Sequence, residues 1–146
     1  MFEIVPVTRA DYEKWLVLWQ GYLDFYEASL TGAVTATSFD RIIAGEIHGA
    51  VAKDDQGNCL GLVHWLTHNS TWSQAEVCYL EDLFVCDGAR GQGLGEALIE
   101  HVKTWAKSNN LNKVYWLTAE TNSRARALYD QVAERTGFIH YEISIK

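Results

Sequence analysis

The chain has 146 residues, 48% of them hydrophobic, which is the size and composition of a single domain with one core. Its formal net charge of −7, without any basic cluster, argues against a surface that neutralises nucleic-acid phosphates. No apolar run is long enough to span a membrane and no signal-peptide pattern opens the chain, so we expect one cytoplasmic domain over residues 1–146 without a membrane partner.

The first half of the sequence alternates between strand and helix patterns. Residues 2–7 predict a strand, and the capping box of residues 8–11 begins a long helix with aromatic residues at helical spacing. A loop is predicted from Gly32 to Ser38, and Ser38 or Thr37 is expected to cap a short second helix that stops near Gly45.

The remaining elements are a β-hairpin followed by alternating strands and helices. In chain order the patterns predict strands at 47–53, 59–67 and 75–86, a helix at 94–107, a strand at 113–118, a helix at 122–135 and a closing strand at 138–145. The order β-α-α-β-β-β-α-β-α-β predicts an α/β fold with helices on both faces of one twisted sheet.

Metal and disulfide chemistry have little support in the sequence. The three cysteines lie in apolar runs and form neither a metal-type pair nor an even disulfide framework, so we expect reduced thiols. The five histidines show no ligand-like spacing with acids or cysteines. We therefore expect no metal.

The most informative segment is residues 90–95, RGQGLG, where a predicted strand gives way to a helix. Glycines let the backbone approach a ligand closely, and N–H groups at a helix N-terminus converge on an anion. The nucleoside-triphosphate loop is excluded because it requires a lysine that is absent here. A dinucleotide loop is disfavoured because Glu96 stands where its third glycine belongs, and a tight turn without any ligand remains the structural alternative.

The same segment resembles the Arg/Gln-x-x-Gly-x-Gly/Ala motif of the GCN5-related N-acetyltransferase (GNAT) superfamily. Residues 122–129, NSRARALY, with Gly137-Phe138 after them, look like the Asn-x-x-Ala-x-x-Leu-Tyr helix of that family and its following Gly-Phe. Residues 79–85, YLEDLFV, resemble the fourth strand of its diamine (spermidine/spermine-type) branch. With the order of elements, the resemblance covers essentially the whole chain.

The resemblance implies a GNAT-like single domain with a mixed, mostly antiparallel sheet, acetyl-CoA as cosubstrate and a homodimer. It assigns coenzyme contacts to twelve residues: Leu83, Phe84, Val85, Arg90, Gly91, Gln92, Gly93, Leu94, Gly95, Glu96, Asn122 and Ala125. It also implies that backbone groups of the fourth strand hold the pantetheine arm where this strand separates from the fifth.

Acetyl transfer to an amine requires a proton acceptor, because a primary alkylamine with a pKa of about 10 is protonated at neutral pH. The resemblance gives Glu81 the role of base or amine anchor, directly or through water, and Tyr129 that of general acid for the departing thiolate. The structural alternatives are a paired surface carboxylate and a core aromatic. Strand alternation places Glu81 and Asp82 on opposite faces, so a bulge is needed to bring both into one site.

The acceptor is expected to bind beside the first helix, with Tyr26, Glu27, Glu81 and Asp82 as contacts. Aromatic and acidic side chains suit an ammonium group, and we predict a small cationic metabolite, a polyamine or an amino-acid-like compound. The alternatives are a protein or peptide lysine or N-terminal acetyltransferase, an acyltransferase with another acyl chain or a hydroxyl acceptor, and a non-catalytic CoA-binding module.

Overall fold

The computed structural model describes residues 1–145, with five strands in one sheet and four α-helices. Two short 3-10 turns, Arg9–Asp11 and Asp87–Ala89, connect them. The elements are β1 (Phe2–Pro6), α1 (Tyr12–Phe25), α2 (Gly32–Ala44), β2 (His48–Asp54), β3 (Cys59–His68), β4 (Val77–Val85), α3 (Leu94–Ser108), β5 (Val114–Tyr115) and α4 (Ser123–Val132). The predicted order is confirmed as far as α4.

The sheet has the order β1-β2-β3-β4-β5. The first three pairs are antiparallel, and β4 and β5 are parallel, joined by α3 as the crossover that a parallel pair requires. The prediction of a mixed, mostly antiparallel sheet is therefore confirmed.

Helices cover both faces of the sheet, because buried residues alternate along the central strands. Val51 and Leu62 face α1 and α2, whereas Ala52 and Val63 face α3 and α4. Trp15 is fully buried at the centre of the first core. Each face of the sheet thus packs on its own apolar core. The sheet lies between the two cores, and this packing fixes the positions of the strand ends.

The ends of the first two helices follow from local hydrogen bonds. The predicted capping box is present, with the Thr8 N–H donating to Asp11 Oδ2 at 2.8 Å. The prediction of a loop from Gly32 to Ser38 is wrong, because Thr31 accepts a hydrogen bond from the Val34 N–H at 3.3 Å and caps α2 there. The helix ends at Gly45 in the left-handed conformation, φ 82°, as its sequence predicts.

A β-bulge interrupts the pairing of β3 with β4. His64 pairs with Asp82 and Trp65 pairs with Leu80, so Glu81 is an extra residue on β4. The predicted alternation along this strand is consequently wrong beyond Leu80: Leu83 packs on the α3 side and Phe84 on the α1 side.

Strands β4 and β5 separate soon after they meet. The sequence predicts a strand over residues 113–118, but only Val114 and Tyr115 pair with β4. Beyond Tyr115 the chain makes no further pairs with β4, which leaves residues 81–85 without a neighbouring strand on that side.

The predicted closing strand, residues 138–145, is absent from the sheet in the described chain. Its alternating apolar pattern is typical of a strand, but a strand also needs a partner edge, and these residues form no ladder. Phe138, Tyr141, Ile143 and Ile145 are all more than 80% exposed. The segment is an uncovered tail without regular secondary structure.

Among residues 1–145, none of the helices has the length and apolar character needed to cross a bilayer.

Candidate active site

A cleft of about 500 Å³ opens where β4 and β5 separate. Its walls are the end of β4, the loop before α3, the first turn of α3 and one face of α4. All the residues that the resemblance assigns to acetyl-CoA line this cleft, except Gln92. Tyr26 and Tyr129 line it as well.

The glycine loop leaves the floor of this cleft open. Gly91 and Gly93 adopt φ 85° and 78°, a left-handed conformation that L side chains rarely adopt, and Gly93 is the N-cap of α3. The first intrahelical bond joins the Ala97 N–H to the Gly93 carbonyl, so the N–H groups of residues 94–96 have no partner within the helix. These donors and the helix dipole provide an anion site.

Arg90 is held against the wall of the cleft. Its Nε donates to the Val85 carbonyl at 3.1 Å, and its guanidinium forms a 2.8 Å ion pair with Asp87 and lies over the rings of Phe25 and Phe84. Because Asp87 offsets the charge of Arg90, a second cation in the cleft is important for binding an anion. Arg124, at the start of α4, also lines the cleft.

Tyr129 lies on the face of α4 that looks into the cleft, half-buried against Trp116. Burial, and then the neighbouring Tyr26, raise the pKa of Tyr129 to about 12, so its hydroxyl keeps its proton at neutral pH.

Asn122 caps α4 by accepting a hydrogen bond from the Ala125 N–H at 3.5 Å. Burial and then Asp82 raise the pKa of Tyr26, while a hydrogen bond with Asn122 opposes the rise.

A second cavity of about 290 Å³ lies on the α1–α2 side of β4. Both carboxylates of the β4 bulge, Glu81 and Asp82, line it. The next residue, Leu83, lines the larger cleft, so consecutive residues of one strand line the two cavities. The bulge therefore brings into one cavity the two acids that regular alternation would separate.

A buried hydrogen-bond chain fixes Asp82. The Trp15 indole N–H donates to His64 Nε2 at 3.0 Å, and His64 Nδ1 lies 2.9 Å from Asp82 Oδ2. Because an indole N–H can only donate, His64 carries its hydrogen on Nδ1 and donates it to Asp82. Burial first, and then Asp82, raise the pKa of Tyr22, whose protonated hydroxyl hydrogen-bonds the same carboxylate.

Glu81 has a different environment from Asp82. It remains in contact with solvent, yet partial burial and then the nearby Asp82 charge raise its pKa above the ordinary value. A carboxylate with a raised pKa is a better proton acceptor than a free one, since basicity rises with the pKa. Asp82 is positioned by donors, whereas Glu81 is suited to proton transfer.

The residues that line the two cavities differ in part from those expected from the sequence. Glu27, a predicted substrate contact, lies in the exposed turn after α1 with φ 53° and lines neither cavity. Arg124 in the cleft and Arg41 in the second cavity were missed, whereas Trp19 belongs to the aromatic stripe that the resemblance places on the acceptor side. Only Leu128 had a usable signal, because it lies one turn beyond Ala125 on the motif face of α4.

Within the described residues there is no group of three or more histidine, cysteine and acidic side chains arranged to hold a metal ion. The three cysteines are free thiols there.

This fold, with its glycine loop opening on a cleft between two parting strands, defines a coenzyme-dependent acyltransferase. Residues 12–133 match the Acetyltransferase (GNAT) family, and the chain belongs to that family of acetyl-CoA-dependent N-acetyltransferases. It is 37% identical to the D-amino-acid N-acetyltransferase HPA3 of Saccharomyces cerevisiae, over 95% of this chain and 88% of that protein. It is also 32% identical to the uncharacterized N-acetyltransferase YhfO of Bacillus subtilis, over 63% of each chain.

Solved structures share the fold at low sequence identity. The ribosomal-protein-alanine N-acetyltransferase of Brucella melitensis superposes with a TM-score of 0.85 at 18% identity, covering 99% of this chain and 100% of that one. The structure of AAC(6')-Iy in complex with the bisubstrate analog CoA-S-monomethyl-acetylneamine superposes with a TM-score of 0.85 at 16% identity, covering 99% and 98%.

The residues present in the cleft fit acetyl-CoA. Cβ atoms built on Gly91 and Gly93 would meet no atom within 4 Å, so the space above the loop is open to a diphosphate. The unpaired N–H groups of α3 and the cations Arg90 and Arg124 surround that space.

Proposed function

We propose that this protein transfers an acetyl group from acetyl-CoA directly to the primary amine of a small metabolite. The observation that supports this most strongly is that two consecutive residues of β4 line the two cavities, Asp82 the second cavity and Leu83 the cleft. Consecutive residues are about 3.3 Å apart along a strand, so reactants that approach β4 from its two faces come within reach of each other at the edge that β5 leaves open. Such positioning supplies a large share of the rate in transfer reactions.

Glu81 is the proton acceptor in this proposal. It takes a proton from the ammonium of the acceptor, directly or through a water molecule, and leaves a neutral amine that attacks the thioester carbonyl. Asp82, held by His64 and Tyr22, anchors the ammonium beside it. The two neighbouring carboxylates thus have separate roles.

Tyr129 is the proton donor. Acetyl-CoA supplies an acetyl group activated as a thioester, with the coenzyme thiol as leaving group. As the carbon–sulfur bond breaks, the attacking nitrogen loses its second proton to solvent and the Tyr129 hydroxyl donates its proton at the sulfur, recovering one from solvent. Backbone N–H and carbonyl groups of Leu83 to Val85, unpaired by β5, orient the pantetheine arm.

The class of acceptor is also part of the proposal. Similarity over nearly the whole chain to a protein named a D-amino-acid N-acetyltransferase favours an amino-acid-like acceptor over a polyamine. Membership of the diamine branch rests only on the Leu-Glu-Asp resemblance of β4. A cavity of about 290 Å³ favours a small metabolite over a protein tail, since sites for drug-sized ligands run from about 300 to 1,000 Å³.

A homodimer is proposed from the C-terminal tail. Residues 138–145 alternate apolar and polar side chains, belong to no strand and lie uncovered, while β5 is the last strand of the sheet and pairs on one side only. Addition of the tail of one copy to the sheet edge of another would cover both. A cytoplasmic location remains a prediction.

A thiol-release assay with a panel of amines tests the proposed transfer. We expect free thiol from acetyl-CoA only when an amino acid or another small amine is present, and an acetylated product in equal amount. Binding of coenzyme A without turnover on any amine would contradict the proposal and indicate a non-catalytic binding module. Turnover confined to peptides would indicate a protein acetyltransferase instead.

A further inference from the structure

The second cavity contains groups of both charges. Glu81 and Asp82 form its β4 wall, and Arg41 of α2 lines the same space. Within residues 1–145 the Arg41 guanidinium forms no salt bridge with a carboxylate. A ligand that enters this cavity therefore meets an anionic pair and a cation with no ion-pair partner in the same small volume.

Trp19 provides a second, independent sign of a ligand. It lines this cavity, its side chain is only 7% exposed, and its indole Nε1 is buried without a hydrogen-bond partner in the part of the chain that the structure describes. Buried N–H donors are nearly always paired in folded proteins. An indole N–H can only donate, so the partner it lacks is a hydrogen-bond acceptor, a class that includes carboxylate oxygens.

A polyamine fits this arrangement poorly. One ammonium group could bind Glu81 and Asp82, but each further cationic group would lie in a cavity that contains Arg41 and an unpaired N–H donor. Like charges that face each other in a partly desolvated space repel, which selects against a ligand of this kind. A zwitterion with an ammonium and a carboxylate two atoms apart satisfies both sets of groups.

We propose that the second cavity binds the zwitterion of a free α-amino acid, with Arg41 and Trp19 as the carboxylate-binding residues. The ammonium lies at Glu81 and Asp82, next to the coenzyme cleft, and the carboxylate points away from it toward α2. The inference rests on the proposed acetyl transfer, to which it adds the substrate class and two specificity-determining residues. Arginine is suited to this task because its planar fork can bind a carboxylate through two hydrogen bonds.

The test compares alanine with alaninamide, each as both enantiomers, and with putrescine, in the wild type and in the variant Arg41→Gln. Amidation removes the carboxylate charge but also lowers the pKa of the amine, so the effect of the variant is compared for each ligand separately. In Arg41→Gln we expect the KM for alanine to rise about 10–100-fold, as for loss of a charge-assisted hydrogen bond. The KM for alaninamide should change less than about twofold in the same variant. Trp19→Phe should act in the same direction with a smaller effect.

Arg9→Gln is the matched control, because Arg9 also contacts α2, through a 4.0 Å ion pair with Asp40, but does not line the cavity. Equal losses for alanine and alaninamide in Arg41→Gln would overturn the proposal, as would a wild-type preference for putrescine over both.

Calorimetric titration of the same ligands into the protein saturated with coenzyme A separates the two proposals. Arg41-dependent binding of alanine without turnover would refute the transfer and support the zwitterion site. Turnover of amines that does not depend on Arg41 would support the acetyl transfer and refute the zwitterion site. Absence of both binding and turnover with alanine would overturn the zwitterion site as well.

Discussion

The hydroxyl of Tyr129 keeps its proton over the whole physiological range because its pKa is raised to about 12. The substitution Tyr129→Phe removes that proton and leaves the ring that packs on Trp116. We expect kcat to fall about 10²–10⁴-fold, as for loss of a general acid, with the Kd for coenzyme A unchanged. Thiol release and calorimetry measure the two quantities. Tyr12→Phe, outside both cavities, is the control, and undiminished turnover in Tyr129→Phe would refute the role.

Glu81 makes a prediction about pH. As proton acceptor it must be ionised, so kcat/KM should fall as the pH drops through its raised pKa, and Glu81→Gln should lose most activity and this dependence on pH. A measured pH profile that keeps the acidic limb in Glu81→Gln would assign that limb to another group.

The same shift predicts an effect on stability. Because the folded state raises the pKa of Glu81, folding favours its protonated form, and this contribution is present below the unfolded pKa and lost as the pH rises through the folded pKa. Glu81→Gln should therefore have a higher Tm than wild type at pH 7 and a nearly equal Tm at pH 4. Thermal melts at the two pH values check this, and a lower Tm at pH 7 would contradict it.

At the scale of elements, a glycine substitution at the start of α3 can separate the cost of backbone strain from the loss of coenzyme binding. Gly93 and Gly45 both have positive φ, and a Cβ at either would meet no atom within 4 Å. Alanine at each should therefore cost a similar free energy of unfolding, about 1–2 kcal/mol for a left-handed residue. Only Gly93→Ala should also weaken coenzyme A binding, because only Gly93 lines the cleft. Denaturant melts and calorimetry measure the two effects. Equal loss of coenzyme affinity in both variants would mean that instability, not the loop, is responsible.

The sequence predicts most elements here, because helix and strand periods are local properties of the chain. The loop at 90–95 and the helix face of Asn122, Ala125 and Tyr129 are identified from the family resemblance, whose motifs are also local, and the structure places them along the cleft. The sequence misses what depends on distant partners. The bulge at Glu81 exists only in the pairing of β4 with β3, and Arg41 lines a cavity whose other wall is contributed by β4. One error concerns a local signal: the cap at Thr31 starts α2 although the residues after it have weak helix propensity.

For the whole molecule, the uncovered tail predicts a change in oligomeric state. Removal of residues 138–146 should convert a dimer to a monomer, because it removes the apolar strand that we propose is exchanged between copies. Sedimentation velocity over a concentration series measures this. Ile143→Lys, which places one charge in the apolar stripe, should weaken the dimer without shortening the chain. A full-length protein that is monomeric at every concentration would contradict the exchange.

The extra residue in β4 is dispensable to the architecture. If Glu81 were deleted, Leu80 and Asp82 would become neighbours and continue to face Trp65 and His64, so the ladder would run without interruption and every side chain beyond it would keep its present face. A chain one residue shorter at this position should fold at least as well and turn over far less. If Glu81 has the role that we propose, the irregularity is a one-residue insertion that gives up regularity of the scaffold for reactivity, and deletion of a single codon separates the two properties.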